Sequence, residues 1–194
     1  MNQFEQLIRI LLEQKGYWVK TNVKVNLSKE DKARLGKPSM PRPDIDVVAL
    51  CMKTNTLYLL EVKSYLDSNG VYPEHVTHST PRWDKYKLLT NDMYRDLVIG
   101  TLRQALLNSG ECNEETKVKV GLIAAKVHKN RIDTLKEYCH NADMFFWGPD
   151  DIRQGLRDLE KQGYADNMAM IITKLLLRTE TGANQELHTV VPCD

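Results

Sequence analysis

Two apolar runs that end in charge constrain this chain most: "DIDVVALCM" (44–52) and "TLYLLEVKS" (56–64), joined through the turn-prone "KTNT". Short runs rich in β-branched and aromatic residues on either side of such a turn predict an antiparallel hairpin. Side chains alternate along a strand, so Glu61 and Lys63 project from one face, and Asp44 and Asp46 share a face on the strand before. If the hairpin brings those faces together, one or both aspartates converge with Glu61 and Lys63. Val62 then points away and leaves its backbone carbonyl between the two charged side chains. So many charges on a half-buried hairpin are costly unless something pairs with them.

The rest of the chain supplies the setting. Phe4, Leu7, Ile8, Leu11 and Leu12 follow helical spacing up to Gly16, and "YWVKTNVKV" (17–25) reads as a strand. Residues 26–42 form a polar loop in which Lys29, Lys32, Arg34, Lys37 and Arg42 outnumber Glu30 and Asp31. Residues 66–82 read as a second loop and Trp83–Asn108 as a long helical region ended by Gly110. A buried strand (117–125), a helix (131–140), a short strand (143–148) and one or two helices (150–178) follow. Strands first and helix-connected strands later predict an α/β fold: a mixed central sheet flanked by helices, with a helical C-terminal extension. The expected organisation is one domain over residues 1–178 and a loose polar tail over 179–194.

Composition narrows the function. A chain of 194 residues with net charge +1 offers no uniformly basic surface, although a local basic patch remains open. No apolar run approaches the length of a membrane span, and the amphipathic N-terminus does not read as a signal peptide. Cys51, Cys112, Cys139 and Cys193 are scattered without a CxxC pair, which argues against zinc and against a disulfide framework. Reduced thiols in a cytoplasmic protein are the plain expectation.

Carboxylates together with a carbonyl oxygen make a hard, oxygen-rich donor set suited to Mg²⁺ or Mn²⁺. A lysine beside such a metal can stabilise charge on an attacked phosphate or orient the attacking water. Pro43 followed by Asp44 or Asp46, then Glu61-Val62-Lys63 on the next strand, resembles the PD-(D/E)xK nuclease superfamily, whose fold is restriction endonuclease-like. The flanking helices also match, so the resemblance covers roughly residues 1–125. "IDVVA" and "LEVKSYLDSNGV" are similar to a group of prokaryotic, largely uncharacterised endonuclease-like proteins. The resemblance implies a divalent metal held by the aspartate, Glu61 and the Val62 carbonyl, with Lys63 catalytic. The Pro-Asp pair favours Asp44 as ligand, but the apolar phase of "IDVVAL" favours Asp46, and Asp46 is the expected main ligand with Asp44 flanking it.

Other candidates are weaker in pattern. Glu5 lies at the edge of the first helix's apolar face, and many superfamily members carry a first-helix glutamate that reaches the metal; a solvated glutamate explains the position equally. Ser64 and Tyr65 follow the lysine and are placed to meet a substrate phosphate or sugar. Lys37 and Arg42 in the basic loop, and Tyr86 and Lys87 at the start of the long helical region, are candidates for backbone contacts. Surface charge and packing account for these as well, and Gln104 reads more simply as a solvated helix position. His75 and His78 lack a third ligand at metal spacing. Trp18, Trp83 and Trp147 sit in separate segments and read as core or interface residues. The function expected is Mg²⁺- or Mn²⁺-dependent hydrolysis of DNA, with RNA or a branched structure as substrate alternatives and a homodimer as one possible assembly. A nuclease-fold module that binds nucleic acid or a protein partner without cleaving is the competing class.

Overall fold

The structure, a computed structural model, describes residues 2–77, 85–163 and 165–186. Helix α1 (Gln3–Gln14) is started by the Asn2 side chain, which accepts from the Phe4 N–H, and the chain reverses at Gly16 with φ +84°. Strand β1 (Tyr17–Lys24) follows, then a short helix α2 (Lys29–Arg34), β2 (Asp44–Cys51) and β3 (Thr56–Lys63). Next come α3 (Pro73–Val76), α4 (Lys87–Thr90), α5 (Asp92–Asn108), β4 (Lys117–Ala124), α6 (Ile132–Asn141) and β5 (Phe145–Trp147). Helices α7 (Pro149–Glu160) and α8 (Met168–Glu186) follow.

The five strands form one sheet in the order β1-β2-β3-β4-β5. β1 and β2, and β2 and β3, pair antiparallel, while β3–β4 and β4–β5 are parallel. The meander and the helical crossovers thus form a mixed α/β sheet with flanking helices. On one face, Val48, Leu57, Leu59, Leu122 and Ala124 join Leu88 and Leu89 of α4, Val98, Leu102 and Leu106 of α5, and Leu135 of α6 in one cluster. The alternate residues Val47, Ala49, Leu60 and Val62 are also buried. α1 packs on β1, β2 and β3 and brings Ile8, Leu11 and Leu12 to that second face. A sheet covered on both faces explains why β2 and β3 are apolar almost throughout.

Several boundaries differ from those that periodicity suggests. The polar loop holds α2, whose six residues include none that is buried. It is held by local contacts: Ser28 Oγ accepts from the Asp31 N–H at 3.0 Å, and Asp31 pairs with Arg34 at 3.7 Å. Residues 66–82 hold α3 instead of loop throughout, and the expectations for His78, for Trp83 and for residues 78–82 lie outside the described residues. The long helical region breaks at Asn91, an extended residue (φ −120°, ψ 103°) whose side chain caps α5 by accepting from the Tyr94 N–H.

The chain divides into two compact units, residues 1–149 and 150–194. In the second, Lys174 Nζ donates to the Glu160 and Gln162 carbonyls at 2.7 and 2.6 Å and closes the C-terminus of α7. α8 runs on through Thr179 to Glu186, and the rest of the expected tail lies outside the described residues. No helix among the described residues is long and apolar enough to cross a membrane.

Candidate active site

The β2–β3 ladder runs from Cys51↔Thr56 to Val47↔Leu60 and stops. Continued by one step, its register would set Asp46 opposite Glu61. There the strands stop pairing, and the Asp46 side chain takes the backbone's place: its Oδ2 accepts from the Val62 N–H at 2.8 Å. Lys63 Nζ donates to the same Asp46 oxygen at 2.8 Å and lies 2.8 Å from Glu61 Oε2. The lysine ammonium therefore bridges both carboxylates at the end of the hairpin. All three side chains are largely shielded, at 22%, 18% and 22% exposure for Asp46, Glu61 and Lys63.

The Val62 carbonyl completes the donor set. A strand residue's N–H and C=O point to the same side, and the Val62 N–H points toward β2. Its carbonyl accordingly faces the opened side of the hairpin, whereas the Lys63 carbonyl points to β4 and accepts from the Ala125 N–H at 3.0 Å. Two carboxylates and this carbonyl are what the chain offers a cation. No group of three His, Cys, Asp or Glu side chains able to hold a metal occurs among the described residues. That set suits a magnesium-like ion, which keeps several of its own waters, and does not suit zinc.

Electrostatics follow from the crowding. Burial raises the pKa of Glu61 and the Asp46 charge raises it further, with Lys63 working against both. For Lys63, burial alone favours the neutral amine, but Glu61 and Asp46 outweigh it and hold the ammonium well above the usual lysine range. A group held so firmly as a cation donates hydrogen bonds and stabilises negative charge; it does not take up a proton near neutral pH.

Asp44 departs from this cluster. It is exposed and pairs with Lys24 across the β1–β2 ladder. Glu5, in the first turn of α1, is only 6% exposed, and its Oε2 accepts from Asn22 Nδ2 at 2.9 Å. Asn22 has φ +55° within β1 and, between the pairs Thr21↔Val47 and Val23↔Ile45, stands across from Asp46. Glu5 thereby connects to the site's edge through a residue that sequence reasoning passed over. Asparagine in a β-strand was the available signal, since it is disfavoured there unless a left-handed backbone suits it.

Ser64 lies half-buried just past β3, and Tyr65 turns the chain with φ +44°. Tyr65 hydrogen-bonds Tyr86, whose hydroxyl proton is held far above the usual range by burial and then by Tyr65 and Glu61. Tyr94, from the first turn of α5, is pushed up to about 12 by burial and by the Glu61 charge. Tyr86 and Tyr94 thus both feel the Glu61 charge. Tyr94 was missed because its approach depends on the break at Asn91. Lys37 and Arg42 of the basic loop line one cavity with Lys87 and Tyr94, which are distant from them in sequence. Gln104 turns along its own helix and donates to Asn108 Oδ1 at 3.0 Å. His75 stacks on Tyr72, which also stacks on His128, with ring centroids 5.1 and 3.9 Å apart.

No family model matches the chain, and no curated protein matches it. The crystal structure of protein of unknown function AF1548 superposes with TM-score 0.45 at 14% identity, covering 93% of this chain and 100% of that one. A likeness that loose carries no argument about activity.

Proposed function

We propose that this protein is a metal-dependent nuclease of the PD-(D/E)xK type that hydrolyses DNA phosphodiester bonds. The observation that carries the proposal is the convergence of Asp46, Glu61 and Lys63 where the β2–β3 ladder stops, beside the Val62 carbonyl. Two partly buried carboxylates sharing one lysine satisfy each other, yet the fold gains little stability from such a cluster. Its chemistry makes sense as a place prepared for cations and for the charge of a phosphate.

Asp46, Glu61 and the Val62 carbonyl would hold Mg²⁺ or Mn²⁺. When bound, that ion supplies Lewis-acid polarisation of the phosphate and lowers the pKa of a water. Lys63, a permanent cation 2.8 Å from each carboxylate, orients the attacking water and offsets charge growing on the phosphoryl oxygens. Tyr86 and Tyr94 lie within range of the Glu61 charge, which raises the pKa of both hydroxyls. Asp44, committed to Lys24, is left the flanking role.

The test is cleavage of linear, nicked, single-stranded and branched DNA with Mg²⁺ or Mn²⁺, set beside the same panel with EDTA. Lys63→Ala should lose about 10²–10³-fold in rate. Its circular dichroism should match that of the parent, while Asp44→Asn stays within a few-fold of it. A Lys63→Ala enzyme as fast as the parent would remove the mechanism. Binding of nucleic acid with no metal-dependent product would favour a catalytically silent module instead.

A further inference from the structure

Past the ends of β3 and β4 the chain forms a rim of two loops, residues 64–72 and 125–131. Backbone hydrogen bonds fix its place. The Ala125 N–H donates to the Lys63 carbonyl at 3.0 Å, the Val71 N–H to the Lys126 carbonyl at 2.9 Å, and the His128 N–H to the Val71 carbonyl at 2.9 Å. Val71 and Val127 form a parallel bridge, so the rim carries the β3–β4 pairing on beyond the strands. His128 follows Ala125 by three residues, which keeps its backbone within about 11 Å of the residue bonded to Lys63.

A cavity of about 600 Å³ opens on this rim, lined by Tyr72, Glu74, His75, His128, Lys129 and Arg131. Three of these form a column of rings, with Tyr72 between His75 and His128. Asn69 holds the column in place: its Nδ2 donates to the Tyr72 hydroxyl at 3.1 Å, and its carbonyl lies 3.3 Å from His128 Nδ1. Glu74 and Arg131 pair with each other, so their charges offset. Lys129 is exposed and has no carboxylate partner among the described residues. Lys126 is exposed too, and its Nζ donates to the Leu66 carbonyl at 3.2 Å, a neutral acceptor that leaves the charge uncompensated. Lys129 and Asn130 are both left-handed, with φ +52° and +53°, which is rare for two successive residues other than glycine. Strained residues of this kind cluster at ligand sites.

Rings and cations so arranged fit one ligand class. Aromatic surface inside a cavity of this volume takes a planar base, and uncompensated lysines at its edge take the phosphates joined to that base. An acidic peptide would use the lysines and leave the rings idle. A lipid surface is met by projecting apolar groups, not by rings that line a concavity. Rings already oriented also lose little freedom when a base stacks on them. We propose that the rim is a nucleic-acid strand site, in which a base stacks on the His75–Tyr72–His128 column while Lys126 and Lys129 hold the adjoining phosphates. The bound strand then runs on toward Lys63. That it is cleaved there rests on the nuclease reading, whereas the binding rests on the rim alone.

Binding without metal separates the two. The full chain, with EDTA present, is titrated with fluorescein-labelled oligothymidylate over a range of salt. Lys126→Ala/Lys129→Ala should weaken binding about tenfold and lower the salt slope by roughly 1.4, two contacts at about 0.7 each. Lys53→Ala/Lys117→Ala removes the same charge from exposed positions at the opposite ends of β3 and β4 and should leave both quantities unchanged. His128→Ala should cost at least about fivefold with little change in salt slope, as loss of stacking does. The circular dichroism of each variant should match that of the parent. Equal losses in the two lysine pairs would reduce the effect to net charge and overturn the site, and so would full affinity in His128→Ala. A parent that prefers phosphatidylserine vesicles to the oligonucleotide would give the rim to a membrane surface and overturn it too. A parent that binds through the rim yet never yields a metal-dependent product would keep the site and sink the nuclease reading. A parent that cleaves through Lys63 while both rim variants bind normally would sink the site alone.

Discussion

At the scale of residues, the site is organised by an unmade backbone pair. Asp46 accepts from the Val62 N–H because the ladder ends at Val47↔Leu60, so one carboxylate both caps a strand and faces Lys63. Asp44 has a partner in Lys24 on the other side of its strand, and that separates the two aspartates more firmly than the Pro-Asp pattern could. The tyrosines around Glu61 lead to a pH prediction. Tyr94 keeps its proton to about pH 12 in the folded chain, against about 10 when unfolded. Between those values the unfolded state has lost a proton that the folded state retains. Stability from this group is therefore complete below about pH 10 and is lost as pH rises toward 12. Tyr86 shifts in the same direction. Alkaline unfolding followed by ellipticity should accordingly move to higher pH in Tyr94→Phe, and absorbance at 295 nm should report tyrosines that ionise only on unfolding. Native Tyr94 ionising near pH 10 would contradict this. Asp46, Glu61 and Lys63 were legible in the sequence because strand alternation and apolar phase are local. Asn22 and Tyr94 were not, since each reaches the site through a backbone irregularity: a left-handed residue in β1 and a helix break at Asn91.

At the scale of elements, β4 shows how a close approach selects its residue. A Cβ on Gly121 would stand 2.5 Å from the Phe145 carbonyl oxygen, 2.6 Å from the Phe145 Cβ and 2.9 Å from a Leu60 methyl. Gly121 pairs with Phe145 at the start of β5, and that parallel contact spans only three register pairs. Gly121→Ala should force β5 away or strain β4, at a cost of about 1–3 kcal/mol. The check is a thermal melt, with a loss of several degrees expected, together with faster amide exchange across Phe145–Trp147. An unchanged melt would mean that β5 yields freely. The hairpin, α1, α6 and both parallel strands followed patterns that a sequence carries openly, namely alternation, helical spacing and glycine stops. α2 did not, because it buries nothing and is held by local contacts such as the Ser28 cap, and periodicity detects only helices with an apolar face. The split of the long helical region at Asn91 is a capping decision of the same kind.

At the scale of the whole molecule, the division into two units bears on what catalysis requires. Every buried member of the core cluster, from Val25 to Leu135, lies within residues 1–149, and so do all five strands. The proposed catalytic groups and the proposed strand site lie there as well. A chain of that size buries close to 70% of the surface it exposes when unfolded, enough for a domain that folds alone. The boundary between the units leaves no mark in the sequence, since helical spacing runs on from residue 150 with no linker of distinctive composition. Residues 1–149 expressed alone should therefore unfold in one cooperative transition in urea and keep the metal-dependent cleavage proposed for the full chain. Because the folding readout does not depend on activity, a cooperative but inactive fragment would place the second unit's contribution in substrate binding. A fragment without a cooperative transition would show that α7 and α8 complete the core.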